Sequence, residues 1–320
     1  MTQKIRMKNK FLGIDTSNYT SSCAVYDADC NQMYSLKKLL PVASGQLGLR
    51  QSDAVFHHTK NLPVLLSELC KNHSDGIKTV SVSLSPRDAE GSYMPCFLVG
   101  EGYANVLSSA FDAKLYGFSH QTGHVAAALW GADRTDLTEN EFLAFHVSGG
   151  TTDMLYVKPS AEKVFEIDML GTSLDLKAGQ AVDRVGVMLG LGFPAGPELD
   201  RLACLSDRDF RIKPFMKDGC CSFSGVENKC RQMLRNGESK QDIAKYCIDY
   251  ICTAIRLMTQ SALLAVGDVP VIYAGGVMSN SLINRALTQE FSGVFAPPQF
   301  SSDNAAGTAF LGYIKETRKW

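Results

Sequence analysis

The stretch FLAFHVSGGTTDMLYV, residues 142–157, joins two strand-like apolar runs by a short polar turn. A second stretch, FLGIDTSNYTSSCAVY at residues 11–26, has the same form. When the two are overlaid, Ser17 aligns with Ser148, and a threonine follows three residues later in both. Strand-like runs on either side of a short turn predict a β-hairpin in each stretch. The repeat therefore predicts two related lobes in one chain.

The turn of the second hairpin carries residue types that bind anions. Glycine lets backbone N–H groups approach a phosphate or carboxylate closely, and hydroxyl side chains add donors. The candidates are Ser148, Gly149, Gly150, Thr151 and Thr152. A single Ser-Gly-Gly stretch is more simply an ordinary hairpin turn, but its near-repeat favours phosphate binding. Two such hairpins, one per lobe, are typical of the α/β, two-lobed actin/sugar-kinase/Hsp70-type ATPase superfold with its duplicated βαβ core.

Composition limits the classes of protein to consider. The 320 residues are enough for two domains, and the hydrophobic content of 45% with 20% charged residues is typical of a globular protein. A net charge of −1 means that any site for a polyanion must be local. No apolar run approaches the ~20 residues that span a bilayer, so we expect no membrane partner. The ten cysteines form no Cys-x-x-Cys pair, which favours reduced thiols and a cytoplasmic location.

Strands and helices alternate along the chain, and this order predicts α/β architecture. The polar, turn-rich segment 131–141 is the best candidate boundary. We therefore expect an N-terminal lobe at 11–135, with the first hairpin and a histidine pair. A C-terminal lobe at 136–320 would hold the second hairpin and the nucleotide site, with the final helix packing back on the first lobe.

The stretch VIYAGG, followed by the helix-like MSNSLINRAL, offers a second place for a ligand. Gly275 and Gly276 permit a close approach, and Asn280 begins the helical pattern. An N-capped helix behind a tight turn explains these residues equally well. The motif alone leaves both interpretations open.

The stretch FSHQTGHVAAA places His120 and His124 four residues apart, on one face of a helix. Gln121 stands where a His-Glu-x-x-His metalloprotease has its general base, so peptidase chemistry is disfavoured. Two histidines and one carboxylate suit a divalent or ferrous metal, and Asp303 in SSDNAAG is the candidate third ligand. A purely structural histidine pair is the alternative.

Taken together, the motifs resemble those of the TsaD family of tRNA threonylcarbamoyladenosine synthases. The resemblance runs from about Phe11 to Gly312. It rests on LGIDTS, HQTGH, VSGGTT, LDLKAGQAVDRVGVMLGLGFPAGP, SFSG, AGGVMSN and SSDN, in that order.

The resemblance implies transfer of a threonylcarbamoyl group from its adenylate to an adenosine beside a tRNA anticodon. It implies one divalent metal (iron or zinc, with magnesium as a third option) on His120, His124 and Asp303. Partners implied are tRNA, a paralogue of the same fold and a small ATPase. The residues implied to bind the adenine nucleotide or threonylcarbamoyl-adenylate are His146, Val147, Ser148, Gly149, Gly150, Thr151, Asp183, Gly196, Asp200 and Asn280.

Four positions depart from the family pattern. Asn18 and Tyr19 replace two acidic residues, Thr151 replaces a histidine, and Glu227 replaces a lysine. Asp15 is then the remaining candidate for a catalytic base in this region. These departures indicate a divergent paralogue, and they keep open a nucleotide-binding, catalytically impaired partner or regulator. A small-molecule kinase of the same superfold fits less well, since such kinases lack the histidine pair.

Overall fold

The computed structural model describes residues 9–17, 19–41, 49–300 and 305–318. Elements up to the histidine motif are β1 Lys10–Ser17, β2 Thr20–Asp27, β3 Gln32–Leu39, α1 Gln51–His73, β4 Ile77–Ser85, α2 Phe97–Ala110, β5 Lys114–Ser119 and α3 His120–Gly131. A 3₁₀ turn at Thr135–Glu139 leads into the next set. That set is β6 Phe142–Val147, β7 Thr152–Ser160, β8 Val164–Thr172, α4 Ala178–Met188, α5 Gly196–Ala203, β9 Met216–Lys217, β10 Cys220–Cys221, α6 Ser224–Arg235, α7 Lys240–Val266, β11 Val271–Ala274, α8 Ser281–Phe291, β12 Val294–Phe295 and α9 Ala306–Thr317. None of the helices in these ranges has the length and apolarity needed to cross a membrane.

The chain divides into two compact units. Unit 1 comprises Met1–Thr138, Pro159–Phe165 and Ser302–Trp320. Unit 2 comprises Glu139–Lys158 and Glu166–Ser301. Unit 1 is thus assembled from three separate stretches of sequence. The predicted boundary at residue 135 would instead make each lobe one continuous stretch.

The sheet of unit 1 has the strand order β3-β2-β1-β4-β5. The predicted first hairpin is confirmed, because β1 and β2 pair antiparallel from Lys10 opposite Asp27 to Ser17 opposite Thr20. The pairs β1–β4 and β4–β5 are parallel. One face of this sheet packs on α1 and α2, and Leu12, Ile14 and Cys23 are fully buried there. The other face packs on α9.

The sheet of unit 2 repeats this order as β8-β7-β6-β11-β12. The second hairpin is also confirmed, with β6 and β7 antiparallel and Val147 opposite Thr152. As in unit 1, the first strand of the hairpin pairs parallel with a later strand, which in turn pairs parallel with the edge strand. The two sheets therefore share one topology, and the predicted duplication of the core is confirmed.

Two helices of unit 1 approach each other through glycine. A Cβ atom on Gly307 in α9 would overlap the carbonyl oxygen of Gly123 in α3. A Cβ on Gly13 in β1 would come within 2.9 Å of Ala309 Cα in α9. Only side-chain-free positions allow such contacts, so glycine fixes the place of α9 against both α3 and the sheet.

Candidate metal centre and nucleotide pocket

A buried carboxylate orients the first histidine of α3. Ser119 caps this helix, with its hydroxyl accepting a hydrogen bond from Thr122 N at 3.2 Å, so His120 is the first helical residue. His120 Nδ1 lies 2.9 Å from Asp15 Oδ1, and the Asp15 side chain is only 1% exposed. A carboxylate behind Nδ1 holds the proton there, so that Nε2 carries the lone pair. Asp15, predicted as catalytic, is thus placed as the residue that orients His120.

The second histidine meets the first one turn later along α3. His124 Nε2 lies 2.9 Å from His120 Nε2, and the two ring planes are inclined at 71°. The His120 side chain remains 20% exposed. Two imidazole nitrogens at this distance either share a proton or face one common electrophile.

The donor set fits a metal ion. Two nitrogens bound at about 2.1 Å to one ion stand roughly 3 Å apart, and metal-bound histidines usually donate their other N–H to a carboxylate. His120, His124 and Asp15 have both features. The predicted third ligand, Asp303, lies outside the described residues. Within the described ranges, no group of three or more metal-ligating side chains converges.

A third imidazole of unit 1 is buried beneath the first hairpin. His58 of α1 is fully buried, and its Nδ1 lies 2.8 Å from the hydroxyl of Ser21 in β2. Among the residues that the structure describes, none is a hydrogen-bond partner of its Nε2. Burial lowers the pKa of His58 from 6.5 to about 4, against a smaller opposing effect of Asp15. His58 is therefore neutral at physiological pH, and it was not singled out from sequence because it lies within an ordinary amphipathic pattern.

The turn of the second hairpin folds around the Ser148 hydroxyl. Ser148 N donates to Thr151 O at 2.8 Å, and Ser148 Oγ accepts from Gly150 N at 3.4 Å and Thr151 N at 3.2 Å. The backbone donors predicted to bind phosphate thus converge on one oxygen within the turn itself. A phosphate oxygen at that point requires the Ser148 side chain to rotate away.

The two residues that precede this turn on β6, His146 and Val147, differ in how far their side chains are buried. His146 is partly buried and pairs across the hairpin with Asp153. Val147 is fully buried in the core of unit 2, so only its backbone is available to a ligand. The N-terminus of α4 lies against the turn, since a Cβ on Gly179 would stand 2.6 Å from Gly149 N.

A cavity of about 550 Å³ opens beside this turn, entirely within unit 2. It collects five of the predicted nucleotide-binding residues, Gly149, Asp183, Gly196, Asp200 and Asn280. The rest of its wall was not predicted as a set and consists of Gly179, Val182, Pro194, Pro197, Ile248, Gly276, Val277, Ser279 and Pro298. Gly276 carried a signal in the glycine pair after β11, whereas Ile248 sits in the apolar pattern of α7 and carried none.

Three polar residues of the cavity also form hydrogen bonds with the backbone that surrounds it. Asp183 Oδ1 accepts from Ala195 N at 2.9 Å and so fixes the loop before Gly196. Asn280 is the N-cap of α8, and its Oδ1 accepts from Leu282 N and Ile283 N. Its amide NH₂ is then the group left to face a ligand.

The third of these residues, Asp200, joins α5 to the start of α8. Its Oδ2 accepts from Ser281 N at 3.1 Å and its Oδ1 accepts from Ser281 Oγ at 2.9 Å. The carboxylate of Asp200 thus already accepts hydrogen bonds from the start of α8. The spacing of residues in the sequence does not reveal this contact.

The negative charge of Glu227, predicted to stand in place of a lysine, is balanced locally. Its carboxylate pairs with Arg184 Nη1 at 3.0 Å and with Arg231 Nη2 at 2.5 Å. Other cations of α6 and α7 are similarly engaged, since Lys245 pairs with Asp249 and Lys240 donates to Leu189 O. Arg231, Lys240 and Lys245 therefore all form intramolecular contacts.

Comparison with solved structures defines the class of protein. The chain aligns with full-length HypF in its phosphate- and nucleotide-bound form at a TM-score of 0.61 and 12% identity, covering 99% of this chain and 58% of that one. It also aligns with component A of the (R)-2-hydroxyglutaryl-CoA dehydratase of Acidaminococcus fermentans. The TM-score is 0.56 and the identity is 17%, and the alignment covers 97% of this chain and 99% of that one. The fold is that of the actin/sugar-kinase/Hsp70 superfold, as predicted.

Sequence comparison is more specific. The family model of TsaD, tRNA N6-adenosine threonylcarbamoyltransferase, matches residues 44–310. A relative of that name from Thermosipho africanus is 30% identical over 94% of this chain and 93% of its own length. Another relative of that name, from Sulfurihydrogenibium sp., is 31% identical over 96% of this chain and 91% of its own length. This chain belongs to the TsaD family.

Proposed function

We propose that this chain transfers the threonylcarbamoyl group of threonylcarbamoyl-adenylate to N6 of an adenosine in tRNA. The observation that carries the proposal is the family match at residues 44–310, which extends through the sequence of both compact units. The cavity of unit 2 supports it, because five of the residues implied to bind nucleotide line one space of suitable size for an adenylate.

The reaction is an acyl transfer. The exocyclic amine attacks the carbamoyl carbon, a C–N bond forms, and the bond from that carbon to the phosphate oxygen breaks. AMP leaves, and the amine gives up one proton. In this proposal the turn at Ser148–Thr151 holds the phosphate, and its backbone N–H groups stabilise the charge that develops as AMP departs.

The cavity residues bind the rest of the nucleotide. Asp183 accepts from a ribose hydroxyl, Gly196 lies against the flat base, and Asn280 donates its amide NH₂. Asp200 adds a polar contact at the rim. Pro194, Val277 and Ile248 supply apolar surface that excludes water from the ring.

The histidine centre is proposed to hold one divalent metal, iron or zinc, with magnesium as the third option. His120 and His124 would be ligands, with Asp303 as the third. A metal bound there supplies Lewis-acid chemistry toward substrate oxygens. Asp15 keeps the proton on His120 Nδ1, which leaves Nε2 available as a ligand.

We further propose a cytoplasmic location, tRNA as a substrate, and dependence on a same-fold paralogue and a small ATPase. All ten cysteines are free thiols, which accords with a reducing compartment. The exposed Tyr19 in the first hairpin, where the family has a carboxylate, supports the need for a partner, because a phenol does not accept a proton at neutral pH.

The test is a transfer assay. Purified protein is incubated with threonylcarbamoyl-adenylate and unmodified tRNA, with and without its proposed partners, and the digested nucleosides are quantified by mass spectrometry. We expect threonylcarbamoyladenosine when the partners are present and little without them. Absence of the product under every condition, with AMP binding intact, would overturn the proposed function.

A further inference from the structure

The outer edge of the unit 1 sheet carries an unusual combination of exposed side chains. β3 is the edge strand, and its last residues Lys37, Lys38 and Leu39 are exposed, Leu39 by 74%. Tyr19 stands at the same end of the sheet and is 41% exposed. Cations, an aromatic ring and an apolar side chain therefore share one end of one edge.

The position of Tyr19 is fixed by the backbone. Tyr19 lies in the turn between Ser17 and Thr20, and its carbonyl accepts a hydrogen bond from Leu40 N at 2.9 Å. The backbone of Tyr19 is thus tied to the chain that follows β3. An exposed aromatic ring offers a flat surface on which a base can stack.

Strand register relates this edge to the histidine centre. Asp15 pairs with Ser22, and Ser22 pairs with Lys37, so the three residues form one row across three strands. Residues in such a row project from the same face of the sheet, and two strand spacings amount to about 10 Å. Lys37 therefore lies on the face that carries the Asp15–His120 pair, about 10 Å from Asp15. Lys38 projects from the opposite face.

Lysines on an edge strand have a simpler explanation, because charge at an edge prevents strand pairing with another molecule. That explanation does not cover Tyr19 and Leu39, since exposed apolar groups favour the association that the lysines would prevent. Cations that contact phosphates beside an aromatic ring that stacks on a base are the features of a single-stranded nucleic acid site.

We propose that Tyr19, Lys37, Lys38 and Leu39, here named the β3 edge, bind a single-stranded segment of the RNA substrate. One base stacks on Tyr19, and phosphates on the two sides of the edge strand contact Lys37 and Lys38 respectively. The net charge of −1 requires any RNA site to be local, and this edge provides one. The inference rests on the proposed function, because it names where the acceptor RNA of that reaction is held.

The experiment measures binding of labelled, unmodified tRNA by fluorescence anisotropy at several salt concentrations. The double variant Lys37→Gln/Lys38→Gln is expected to bind about tenfold more weakly at low salt, with a shallower salt dependence. The matched control Lys60→Gln/Lys71→Gln removes two charges from α1 of the same unit and should bind like the wild type. Urea unfolding midpoints and AMP affinity should be unchanged in both.

Stacking is tested with Tyr19→Ala and Tyr19→Phe. The alanine variant should lose about tenfold in tRNA affinity, while the phenylalanine variant, which keeps the ring, should match the wild type. Binding to heparin, a polyanion without bases, should be insensitive to both changes at Tyr19.

Two results would overturn the proposal. The first is equal loss of affinity in the β3-edge double variant and its α1 control. The second is self-association of the β3-edge variant on light scattering with tRNA affinity intact, which would assign the lysines to edge protection. These readouts are separate from the transfer assay, so a protein that binds tRNA through this edge without forming product would refute the proposed function alone.

Discussion

Gly307 of α9 lies so close to the backbone of Gly123 in α3 that no side chain fits between them. The same α3 carries His120 and His124, and α9 directly follows the segment that contains the predicted ligand Asp303. This contact therefore determines how close the start of α9 comes to the histidine pair.

Gly307→Val is expected to separate α9 from α3 and to destabilise the protein by about 1–3 kcal/mol, the usual cost of overpacking. Metal content should fall with it. Urea unfolding and elemental analysis measure the two effects. Gly102→Ala in α2 is the matched control, because a Cβ there meets nothing within 4 Å. An equally stable Gly307→Val protein would contradict this account of the helix contact.

Removing one imidazole should abolish stoichiometric metal binding. His120→Ala and His124→Ala each delete a proposed ligand, whereas Asp15→Asn keeps both ligands and should weaken affinity by about 10–100-fold through loss of the orienting carboxylate. Competition with a chromophoric chelator gives the affinities. His57→Ala, which changes a histidine outside the centre, should leave metal binding intact. Full metal occupancy in His124→Ala would refute the site.

Asp183→Ala should weaken AMP binding by about 1–3 kcal/mol, because the cavity loses a charged acceptor and the loop at Ala195 loses its anchor. Asp183→Asn keeps an acceptor oxygen for Ala195 N and should fall between the alanine variant and the wild type. Isothermal titration calorimetry measures both. Asp207→Ala, an exposed carboxylate outside the cavity, is the control, and equal affinities in all four proteins would remove Asp183 from the site.

Stability should decrease in mild acid because of His58. Its pKa is lowered from 6.5 to about 4 on folding, so the unfolded chain binds the proton first. The stability contributed by the neutral imidazole is fully present above about pH 6.5 and is lost as the pH falls toward 4, with a maximum of roughly 3 kcal/mol. Urea titrations between pH 7 and pH 4 test this. His58→Gln should flatten the dependence in that window, and an unchanged slope would assign it to other groups.

Local patterns predicted the parts of this fold that repeat or alternate. Both hairpins follow from the aligned stretches at 11–26 and 142–157, because strand alternation and turn chemistry are local, and their repeat predicted the duplicated core. The histidine pair also follows, since four-residue spacing on a helix brings both rings to one face.

Contacts between distant segments were not predictable in the same way. The hydrogen bond from His120 to Asp15 joins residues 105 positions apart, and the tie between Asp200 and Ser281 spans 81. Such pairs depend on how the sheets and helices pack. The Ser148 hydroxyl was predicted only as a donor to a ligand, yet it accepts hydrogen bonds from two N–H groups of its own turn. This depends on which rotamer Ser148 adopts, and the sequence does not specify the rotamer.

The composition of unit 1 has a consequence for synthesis on the ribosome. β1 emerges early, yet α9, which packs against it, is translated only after every residue of unit 2. At a translation rate of about 5–20 residues per second, the first sheet waits at least ten seconds or so for its last helix. The later-encoded unit can thus complete its core before the earlier one. The nascent N-terminal strands therefore spend this interval with the sheet face that α9 later covers exposed to water.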